Sequence, residues 1–533
     1  MSAPPTAPDV ASVVAAGQLD ALGLSDPDVE CVVDWSGPVQ LPLHDEASVQ
    51  AACGIMHVHG RAAGRPVPLA VDYASTVAGV LAAQGVLAAT IARARGARVN
   101  SVRTSVAQAA LLSVQQYLAA ATADDPPEEV RAGLRPPFTT ADGVRIEVET
   151  LNAEAWQRFW RALGAADSAI ARGWWPFQQR FATATCGLPA ALHDAVGAAT
   201  HAEIRTAAEK TGISVLPVRD EPTGPMDLPA CTLTHLPGSQ PHRLPPPGAL
   251  PLDGIVVVES TRRVQGPAAG HVLRMLGADV VRIEPPGGDP MRGVPPMVRD
   301  RSARYLALNA GKRVVELDLK TPGGCRGLRE LVAEADVFLH NWAPGKAAQL
   351  GLDAQDLASS SPGLVYAWAS GWGSAMGTDP PLGTDFLVQA HSGLAAAISK
   401  PAAPSLMTLT DVLGGLVCAQ GVLAALLRRL RTGSGSRVDT SLLSAAGVVP
   451  RHRTDRRLHR TRDGFSVLPE GSTSDFADRR EMPTEALVSR CADAGPPVAP
   501  VCTDLAELAA DPRFRHALGH DGHTYVRTPW EFS

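Results

Sequence analysis

Residues 254–286 read GIVVVESTRRVQGPAAGHVLRMLGADVVRIEPP, and this stretch decides the fold. It opens with an unbroken apolar run, GIVVVES (254–260), of the kind that forms a parallel strand buried on both faces. The segment GPAAGHVLRMLGA then predicts a helix, and DVVRIEPP predicts a second strand that its prolines end. A strand, a short helical crossover and a second strand together indicate a βαβ unit.

The same order continues towards the C-terminus. RVVELDL (313–319) and DVFLHNW (336–342) are predicted strands on either side of a predicted helix, CRGLRELVAEA (325–335), and LVYAWASGWG (364–373) adds another strand. Alternating strands and helices favour an α/β domain with a Rossmann-like parallel sheet.

A different pattern precedes this domain. FTTADGVRIEVE (138–149) predicts a turn at Asp142-Gly143 and an alternating strand, and AEAWQRFWRALG (153–164) predicts an amphipathic helix that Gly164 closes. These segments indicate a second, smaller α+β domain.

Composition narrows the class of protein. With 533 residues, 45% hydrophobic and 19% charged, the chain predicts two or three globular domains. Its net charge of −6, with one short basic run at 451–462, argues against nucleic acid as a partner. The eight cysteines form neither a CxxC pair nor a zinc-type cluster, so we expect no metal. Since no signal peptide and no 18-residue apolar run is found, we expect a cytoplasmic protein without a membrane partner.

An internal repeat is the second strong signal. The heptapeptide AQGVLAA occurs at 83–89 and again at 419–425. Three pairs of similar segments follow one another in the same order: 75–89 with 411–425, 98–112 with 437–449, and 203–218 with 486–501. We interpret this order as a partial internal duplication. The glycines in the helix predicted over 77–94 each cost about 1 kcal/mol relative to alanine, which indicates a close packing partner or ligand there.

These observations divide the chain into five predicted parts. A proline-rich arm, predicted to be loosely held, comes first, and six prolines in sixteen residues mark a linker between two halves. The parts are the arm (1–30), a partial and non-catalytic N-terminal half (31–235), the linker (236–251), a catalytic α/β domain (252–450) and a shortened C-terminal region of the second copy (451–533).

Two common catalytic motifs are missing. The GPAAG turn lacks the G-x-G-x-x-G spacing of dinucleotide sites, and no G-x-S-x-G elbow occurs. The remaining candidate is Asp411, either a helix N-cap or a nucleophile. Gly414 and Gly415 directly after it would let backbone approach a bulky ligand.

Four segments carry a family resemblance. They lie at 250–293, 308–324, 335–352 and 411–443, the last being DVLGGLVCAQGVLAALLRRLRTGSGSRVDTSLL. The chain resembles the family III CoA-transferases, the group of formyl-CoA, carnitine and bile-acid CoA-transferases and of the related α-methylacyl-CoA racemases. The resemblance implies coenzyme A and a carboxylic acid as substrates and no permanently bound cofactor. It also implies an interlocked two-lobe architecture, here a pseudo-dimer within one chain, with a homodimer also open.

The resemblance assigns roles to particular residues. The catalytic aspartate stands ten positions before the glycine of the G-[IV]-L-A-A helix, which is Asp411 here. The equivalent position of the first copy is Ser75, and Asp72 is three residues out of register. Asp385 matches an acidic site position, and Gly414 and Gly415 are expected to supply N–H donors to an oxyanion.

Coenzyme A is expected to contact a set of residues that follow the strands. The matched positions are Gln265, Leu317, Asn341, Trp342, Gln349 and Leu350. An arginine common in the family is Gln349 here, and a basic residue after the second strand is Pro285. We therefore expect Lys346, Arg282 or Arg292 to face the phosphates instead.

Two other functions stay open at this point. In the racemase branch, a histidine precedes the matched aspartate, but here that position is Thr384, which cannot take a proton near neutral pH. His391 lies six positions after Asp385 and is expected to be a bystander. A degenerate acyl-CoA-binding or scaffold protein without turnover is the third possibility, which the lost arginine and the eroded C-terminal tail favour.

Overall fold

The computed structural model describes residues 9–24, 28–125, 133–221, 228–239, 246–468, 480–494 and 498–533. The helices of these residues are α1 (Asp9–Ala21), α2 (Glu46–Ala52), α3 (Ile55–Gly60), α4 (Tyr73–Ala94), α5 (Val106–Ala121), α6 (Ala153–Ala162), α7 (Asp167–Thr183), α8 (Ala190–Gly197), α9 (His201–Thr211), α10 (Gln265–Met275), α11 (Ala303–Asn309), α12 (Pro322–Ala333), α13 (Lys346–Gln349), α14 (Ala354–Ala358), α15 (Asp385–His391), α16 (Leu394–Ile398), α17 (Leu409–Thr432), α18 (Leu442–Val448), α19 (Thr484–Ala494) and α20 (Leu505–Ala510).

The strands are β1 (Glu30–Asp34), β2 (Ser101–Ser105), β3 (Phe138–Thr139), β4 (Arg145–Glu149), β5 (Ser214–Pro217), β6 (Cys231–Ser239), β7 (Val256–Ser260), β8 (Asp279–Glu284), β9 (Met297–Val298), β10 (Arg301–Ser302), β11 (Arg313–Glu316), β12 (Val337–His340), β13 (Val365–Ser370), β14 (Ser434–Ser441), β15 (Leu458–Arg460), β16 (Phe465–Val467), β17 (Ala499–Pro500), β18 (Leu518–His520), β19 (Thr524–Val526) and β20 (Glu531–Phe532). Short 3₁₀ turns lie at Arg61–Ala63, Pro290–Gly293 and Pro512–Phe514.

The predicted α/β domain is a seven-stranded sheet in the order β11-β8-β7-β12-β13-β14-β6. Six strands are parallel to their neighbours, and β6 pairs antiparallel with β14 at the edge. The run GIVVVES forms β7, where Val257 and Val258 are buried on opposite faces. Burial on both faces explains why the strand is apolar without alternation. The predicted mixed α/β class with a parallel-rich sheet is therefore confirmed.

The two helices that carry AQGVLAA, α4 and α17, pack against each other in the centre of the molecule. The Tyr73 hydroxyl donates to the Leu409 carbonyl at 2.8 Å, and Gln84 Nε2 donates to the Leu416 carbonyl at 2.6 Å. Both helices are long and apolar enough to cross a membrane, but 94% of each apolar window is buried inside the protein. They are the core of the fold.

Each of these helices starts the same sequence of elements. A strand and then a helix follow, β2 and α5 after α4, and β14 and α18 after α17. The N-caps of α5 and α18, Ser105 and Ser441, have nearly the same backbone angles, and each accepts a hydrogen bond from the N–H three residues on. In addition, β1 lies parallel to β2 as β13 lies parallel to β14.

The halves exchange their last strands. β6, which ends the N-terminal half, pairs antiparallel with β14 of the C-terminal half, and β20 at the end of the described chain pairs antiparallel with β2. Trp530, just before β20, is buried and donates from Nε1 to the Leu81 carbonyl at 2.7 Å. This reciprocal exchange interlocks the two halves.

Two small sheets complete the lobes. The predicted α+β segment forms the antiparallel sheet β3-β4-β5, with the buried Trp156 and Trp160 of α6 in its core. The sheet β15-β16-β17 repeats this arrangement over a shorter stretch near the C-terminus.

Two predicted boundaries are wrong. The arm predicted over 1–30 contains α1, which packs on α4 so closely that a Cβ at Gly79 would lie 2.6 Å from the Ala11 carbonyl oxygen. Residues 1–8 and 25–27 lie outside the described residues. The linker predicted from 236 begins inside β6, because Pro237 stands on an edge strand, where a missing N–H is tolerated. Residues 240–245 of the predicted linker also lie outside the described residues.

Candidate active site

A cavity of about 790 Å³ lies between the two halves, at the carboxyl ends of β7, β8, β12 and β13. Ligands of open α/β sheets bind at this edge. The C-terminal half contributes most of the wall, including Asp411 and Asp385. The N-terminal half contributes Glu149, Thr150, Leu151, Gln178, Arg180 and Phe181. The cavity wall is therefore complete only when both halves are present.

Asp411 is the third residue of α17 and faces this cavity. Its carboxylate accepts no hydrogen bond from a residue in the described part of the chain. Burial and the neighbouring Asp385 carboxylate raise the pKa of Asp411 well above its ordinary value; Arg263 opposes this shift, and Glu149 adds to it. A carboxylate with a raised pKa is a stronger nucleophile once ionised.

Asp385 holds the beginning of α17. Its Oδ1 accepts hydrogen bonds from the Thr410 N–H at 2.6 Å and the Asp411 N–H at 2.9 Å, two of the donors that a helix start leaves unpaired. Gln389 Nε2 donates to the other carboxylate oxygen. Burial raises the pKa of Asp385 to about 6, while its hydrogen bond from the Thr410 hydroxyl opposes the shift. Asp385 thus acts on Asp411 both by fixing its backbone and by its charge.

The N-terminal half contains the same arrangement without the nucleophile. Glu46 accepts hydrogen bonds from the Ala74 and Ser75 N–H groups at 2.8 Å each, and from Gln50 Nε2 at 2.9 Å. Ser75, the third residue of α4, donates its hydroxyl to Glu46 at 2.6 Å. The position equivalent to Asp411 is thus occupied by a buried serine that is used as a hydrogen-bond donor.

Asp72 does not replace the missing aspartate. It precedes α4 and pairs with the buried Arg456, which also donates to the Leu69 carbonyl at 2.9 Å. The prediction that Asp72 is out of register agrees with this placement, because its carboxylate is engaged away from the cavity.

Gly414 and Gly415 have a different role from the predicted one. They are the sixth and seventh residues of α17 and do not line the cavity, and N–H groups at these positions bond within a helix. A Cβ at Gly415 would lie 2.6 Å from the Gln265 carbonyl oxygen and 2.8 Å from Ala268 Cβ. The two glycines let α17 approach α10, so the prediction of oxyanion donors is wrong.

Most of the predicted coenzyme A contacts do meet at the cavity. Trp342 donates from Nε1 to Ser260 Oγ at 3.1 Å, which holds its ring on the wall. The predicted residues on the wall are Gln265, Leu317, Asn341, Trp342, Lys346 and Leu350. Gln349 is exposed and lies off the cavity wall, so it does not make the predicted contact.

Arg282 is also misassigned. Its guanidinium is buried beneath the cavity, where it pairs with Glu259 and Asp289 and, at 3.2 Å, with Glu284. Arg292 pairs with the same Glu284 at 2.7 Å and lies off the wall. Both cations are paired with acidic side chains, and neither lines the cavity.

The sequence analysis did not identify several residues that line the cavity. Arg262, Arg263 and Lys320 are exposed cations on the wall, and their side chains form no ion pair with any residue that the structure describes. Arg262 and Arg263 closely follow the first strand of the sheet, and ligands bind at the carboxyl ends of such strands, so their position could have predicted their place on the wall. Glu149 could have been identified from the segment VRIEVE, in which acids alternate with apolar residues. This pattern predicts a buried carboxylate that needs a partner of opposite charge.

That partner is Arg180. Its Nη2 lies 3.0 Å from Glu149 Oε2 and 3.8 Å from Glu147 Oε1, and burial raises the pKa of Glu147 to about 8. The guanidinium carbon lies 4.6 Å from the ring centre of Phe386, so a cation of the N-terminal half packs on the residue next to Asp385. Arg180 therefore joins the halves at the cavity.

Two further positions discussed from the sequence lie on and off the wall. Thr384 lines the cavity where a racemase would place a histidine. His391 packs edge-on against Trp372, with ring centres 5.4 Å apart, and lies off the wall. Within the described ranges, no group of three His, Cys, Asp or Glu side chains could hold a metal ion.

Asp411 and Asp385 thus each lie at the start of a buried helix and face a cavity at the carboxyl edge of a parallel sheet. The model of CoA-transferase family III matches residues 37–223 and 252–454. The chain therefore belongs to CoA-transferase family III, and both halves match the family.

Curated relatives agree with this placement. The chain is 32% identical to a succinyl-CoA:glutarate CoA-transferase of Mus musculus over 43% of this chain and 58% of that protein. It is 35% identical to an acetyl-CoA:oxalate CoA-transferase of Acetobacter aceti (38% and 53%), and 36% identical to a probable fatty acyl-CoA transferase of Mycobacterium tuberculosis (44% and 60%). The chain thus spans between half and three fifths of the length of these relatives.

A solved structure is also similar. A CAIB/BAIF family protein of Brucella suis has a TM-score of 0.48 and 26% sequence identity, covering 53% of this chain and 93% of that chain.

Proposed function

We propose that this protein transfers coenzyme A from an acyl-CoA thioester to a carboxylic acid, with Asp411 as the nucleophile. The observation that carries this proposal is the place of Asp411, at the start of a buried helix, fixed by Asp385 and facing a cavity large enough for a thioester. Membership of the family supports the same reaction.

The chemistry would proceed through covalent enzyme intermediates. An Asp411 oxygen attacks the thioester carbonyl carbon, the C–S bond breaks, and an acyl-aspartyl anhydride and CoA thiolate form. The thiolate attacks the Asp411 carbonyl carbon, which gives an aspartyl-CoA thioester and releases the donor acid. The acceptor carboxylate then attacks that thioester and the same steps run in reverse, so that the thioester energy is kept.

Coenzyme A would lie along the strand ends. Trp342, with the apolar Leu317 and Leu350 nearby on the wall, offers a surface for the adenine ring. The phosphates need cations that are not already paired, and Lys320 and Lys346 on the wall form no ion pair with a residue that the structure describes.

The two halves are proposed to be copies of one ancestral unit that form a pseudo-dimer. Support comes from the similar helix starts. In each, an acid accepts hydrogen bonds from the N–H groups of the second and third helix residues and from a glutamine four positions after the acid. The exchanged strands β6 and β20 support it independently. In this proposal the N-terminal half is a non-catalytic partner in cis that completes the wall of a single active site.

The test is a panel of acyl-CoA donors and carboxylic acids. Because the named relatives use succinyl-CoA, glutarate, acetyl-CoA, oxalate and fatty acyl groups, the panel contains short dicarboxylic and long-chain members. With a productive donor, hydroxylamine should convert Asp411 to a hydroxamate, at one adduct per chain. Asp411→Asn should abolish transfer and the adduct, whereas Asp72→Asn should leave most of the transfer rate.

An absence of any adduct across the panel would contradict the transferase proposal. Retained binding of coenzyme A would then favour a non-catalytic acyl-CoA-binding protein. Adducts at two positions per chain would contradict the single-site arrangement.

A further inference from the structure

Arg263 lies on the cavity wall in a left-handed backbone conformation, with φ +64°. Among the described residues other than glycine, Ala184 and Arg299 are the others with positive φ. L-amino acids disfavour this region, and such residues persist where the surrounding structure holds them, often at functional sites.

The loop that carries Arg263 is held from two sides. The Asn341 side chain accepts a hydrogen bond from the Arg262 N–H and donates one to the Arg262 carbonyl, both at 2.9 Å. From below, buried Arg282 donates to the Thr261 carbonyl at 3.1 Å. These contacts fix the backbone on the N-terminal side of Arg263 and explain how the strained conformation is maintained.

The Arg263 side chain is available to a ligand. It is exposed, and it forms no ion pair or hydrogen bond with a residue in the described ranges. Its guanidinium carbon lies 5.4 Å from the ring centre of Phe181, which comes from the N-terminal half. The contact across the halves keeps the cation beside the cavity.

The surroundings of Asp411 are acidic, so a second carboxylate that binds there needs a cation such as Arg263. Asp385 and Glu149 both raise the pKa of Asp411, and Arg263 is the cation that lowers it. Glu149 is already paired with Arg180. The second half of the proposed reaction must bring another carboxylate against this acidic surface, which is unfavourable without a positive partner.

We propose that Arg263 binds the carboxylate of the acceptor acid beside Asp411. The inference rests on the proposed transferase function and adds the residue that admits the second substrate. A guanidinium can hold a carboxylate through two parallel hydrogen bonds, which orients as well as attracts it. By reversibility, Arg263 also receives the donor acid as it leaves.

Two reactions distinguish binding of the acceptor acid by Arg263 from a general effect of Arg263 on the active site. Exchange of labelled CoA into an acyl-CoA needs only the acyl-aspartyl anhydride, because the labelled thiolate attacks the acyl carbonyl and regenerates Asp411. Transfer to a carboxylic acid needs the acceptor site as well. Both are measured on the full-length chain, with the donor and the acceptor of the panel that wild type uses fastest.

Arg263→Leu should raise the KM for the carboxylic acid by about 10- to 100-fold, as expected for the loss of a charge-assisted pair. Because loss of Arg263 also raises the pKa of Asp411, both reactions are measured on the alkaline plateau of the pH–rate profile, where Asp411 is ionised in both proteins. There the rate of CoA exchange and the KM for acyl-CoA should stay within about twofold of wild type. Arg263→Lys keeps the positive charge but cannot form two parallel hydrogen bonds to a carboxylate. Its KM for the acid should lie between those of wild type and Arg263→Leu. Arg205→Leu, a surface control on α9, should change neither reaction.

Folding is checked with Arg263→Gly, since glycine accepts positive φ. Its unfolding midpoint should equal or exceed that of wild type, while its KM for the acid rises as in Arg263→Leu. An increase in the KM for acyl-CoA instead would assign Arg263 to coenzyme A and overturn the inference, as would an unchanged KM for the acid. If wild type catalyses neither reaction, the proposed function itself fails, and the inference fails with it.

Discussion

Replacing Gly415 by alanine tests how closely α17 must approach the helix that carries Gln265. The added Cβ would lie 2.6 Å from the Gln265 carbonyl oxygen, whereas ordinary contact begins at 3.4 Å, so the helices must separate by up to about 0.8 Å. The obstacle is backbone and cannot rotate away. Overpacking of this kind costs about 1–3 kcal/mol.

Gly17 supplies the matched control. It lies on α1, is exposed, and a Cβ there would meet no atom within 4 Å. Gly17→Ala should therefore show only the gain in helix propensity, about 0.5–1 kcal/mol. The difference between the free energies of unfolding of the two variants should isolate the clash, at about 1–3 kcal/mol.

Activity should also respond, because Asp411 lies one helical turn before Gly415. A displacement of 1 Å at a reacting group can lower a rate by about 100-fold, so a shift of several tenths of an ångström should lower CoA exchange by about 10-fold. Urea unfolding followed by circular dichroism gives the stability, and labelled CoA gives the rate. If Gly415→Ala were as stable as Gly17→Ala and exchanged CoA at the wild-type rate, the close helix contact would not position the nucleophile.

Two further predictions concern the charges around Asp411. Glu149→Gln keeps an acceptor for Arg180 but removes a negative charge that raises the pKa of Asp411, so the acidic limb of the pH–rate profile should move to lower pH; no shift, or a shift to higher pH, would contradict this. Asp385→Asn should move the same limb in the same direction, whereas Glu46→Gln, which alters the equivalent hydrogen bonds of the N-terminal half, should leave the profile unchanged. Equal profiles for these two variants would show that Asp385 does not act on Asp411 through its charge.

Local patterns were sufficient for the sheet and for the close packing of α4. The apolar run that forms β7 predicts its own burial on both faces, and the glycines of α4 predict a close packing partner, which Gly79 finds in α1. The role proposed for Asp411 comes instead from the family resemblance, through its spacing within one helix. Each of these features depends on neighbours within a few turns of the same element, which is why the sequence is informative there.

Features that depend on distant charges were not predictable in this way. Arg282 has the residue type and position of a phosphate ligand, but Glu259, Glu284 and Asp289 neutralise it, and Glu259 comes from the neighbouring strand β7. Conversely, Glu149 and Arg180 reach the cavity only because the N-terminal half folds against the other half. Glu149 and Arg180 lie more than 200 positions before Asp411 in the sequence. The periodicity of their own segments therefore does not predict that they reach the same cavity.

The two helix starts also show how the third helix residue can differ between the halves without loss of the fold. Glu46 and Asp385 each satisfy N–H groups that a buried helix end would otherwise leave unpaired, so these acids are needed for stability in both halves. The side chain of the third helix residue is not needed to cap these N–H groups. An aspartate there is buried beside another carboxylate and has its pKa raised, as Asp411 shows, which opposes its ionised form. In the N-terminal half, the Ser75 hydroxyl at this position donates to Glu46, so a hydrogen bond takes the place of that repulsion and the cap of the helix is kept.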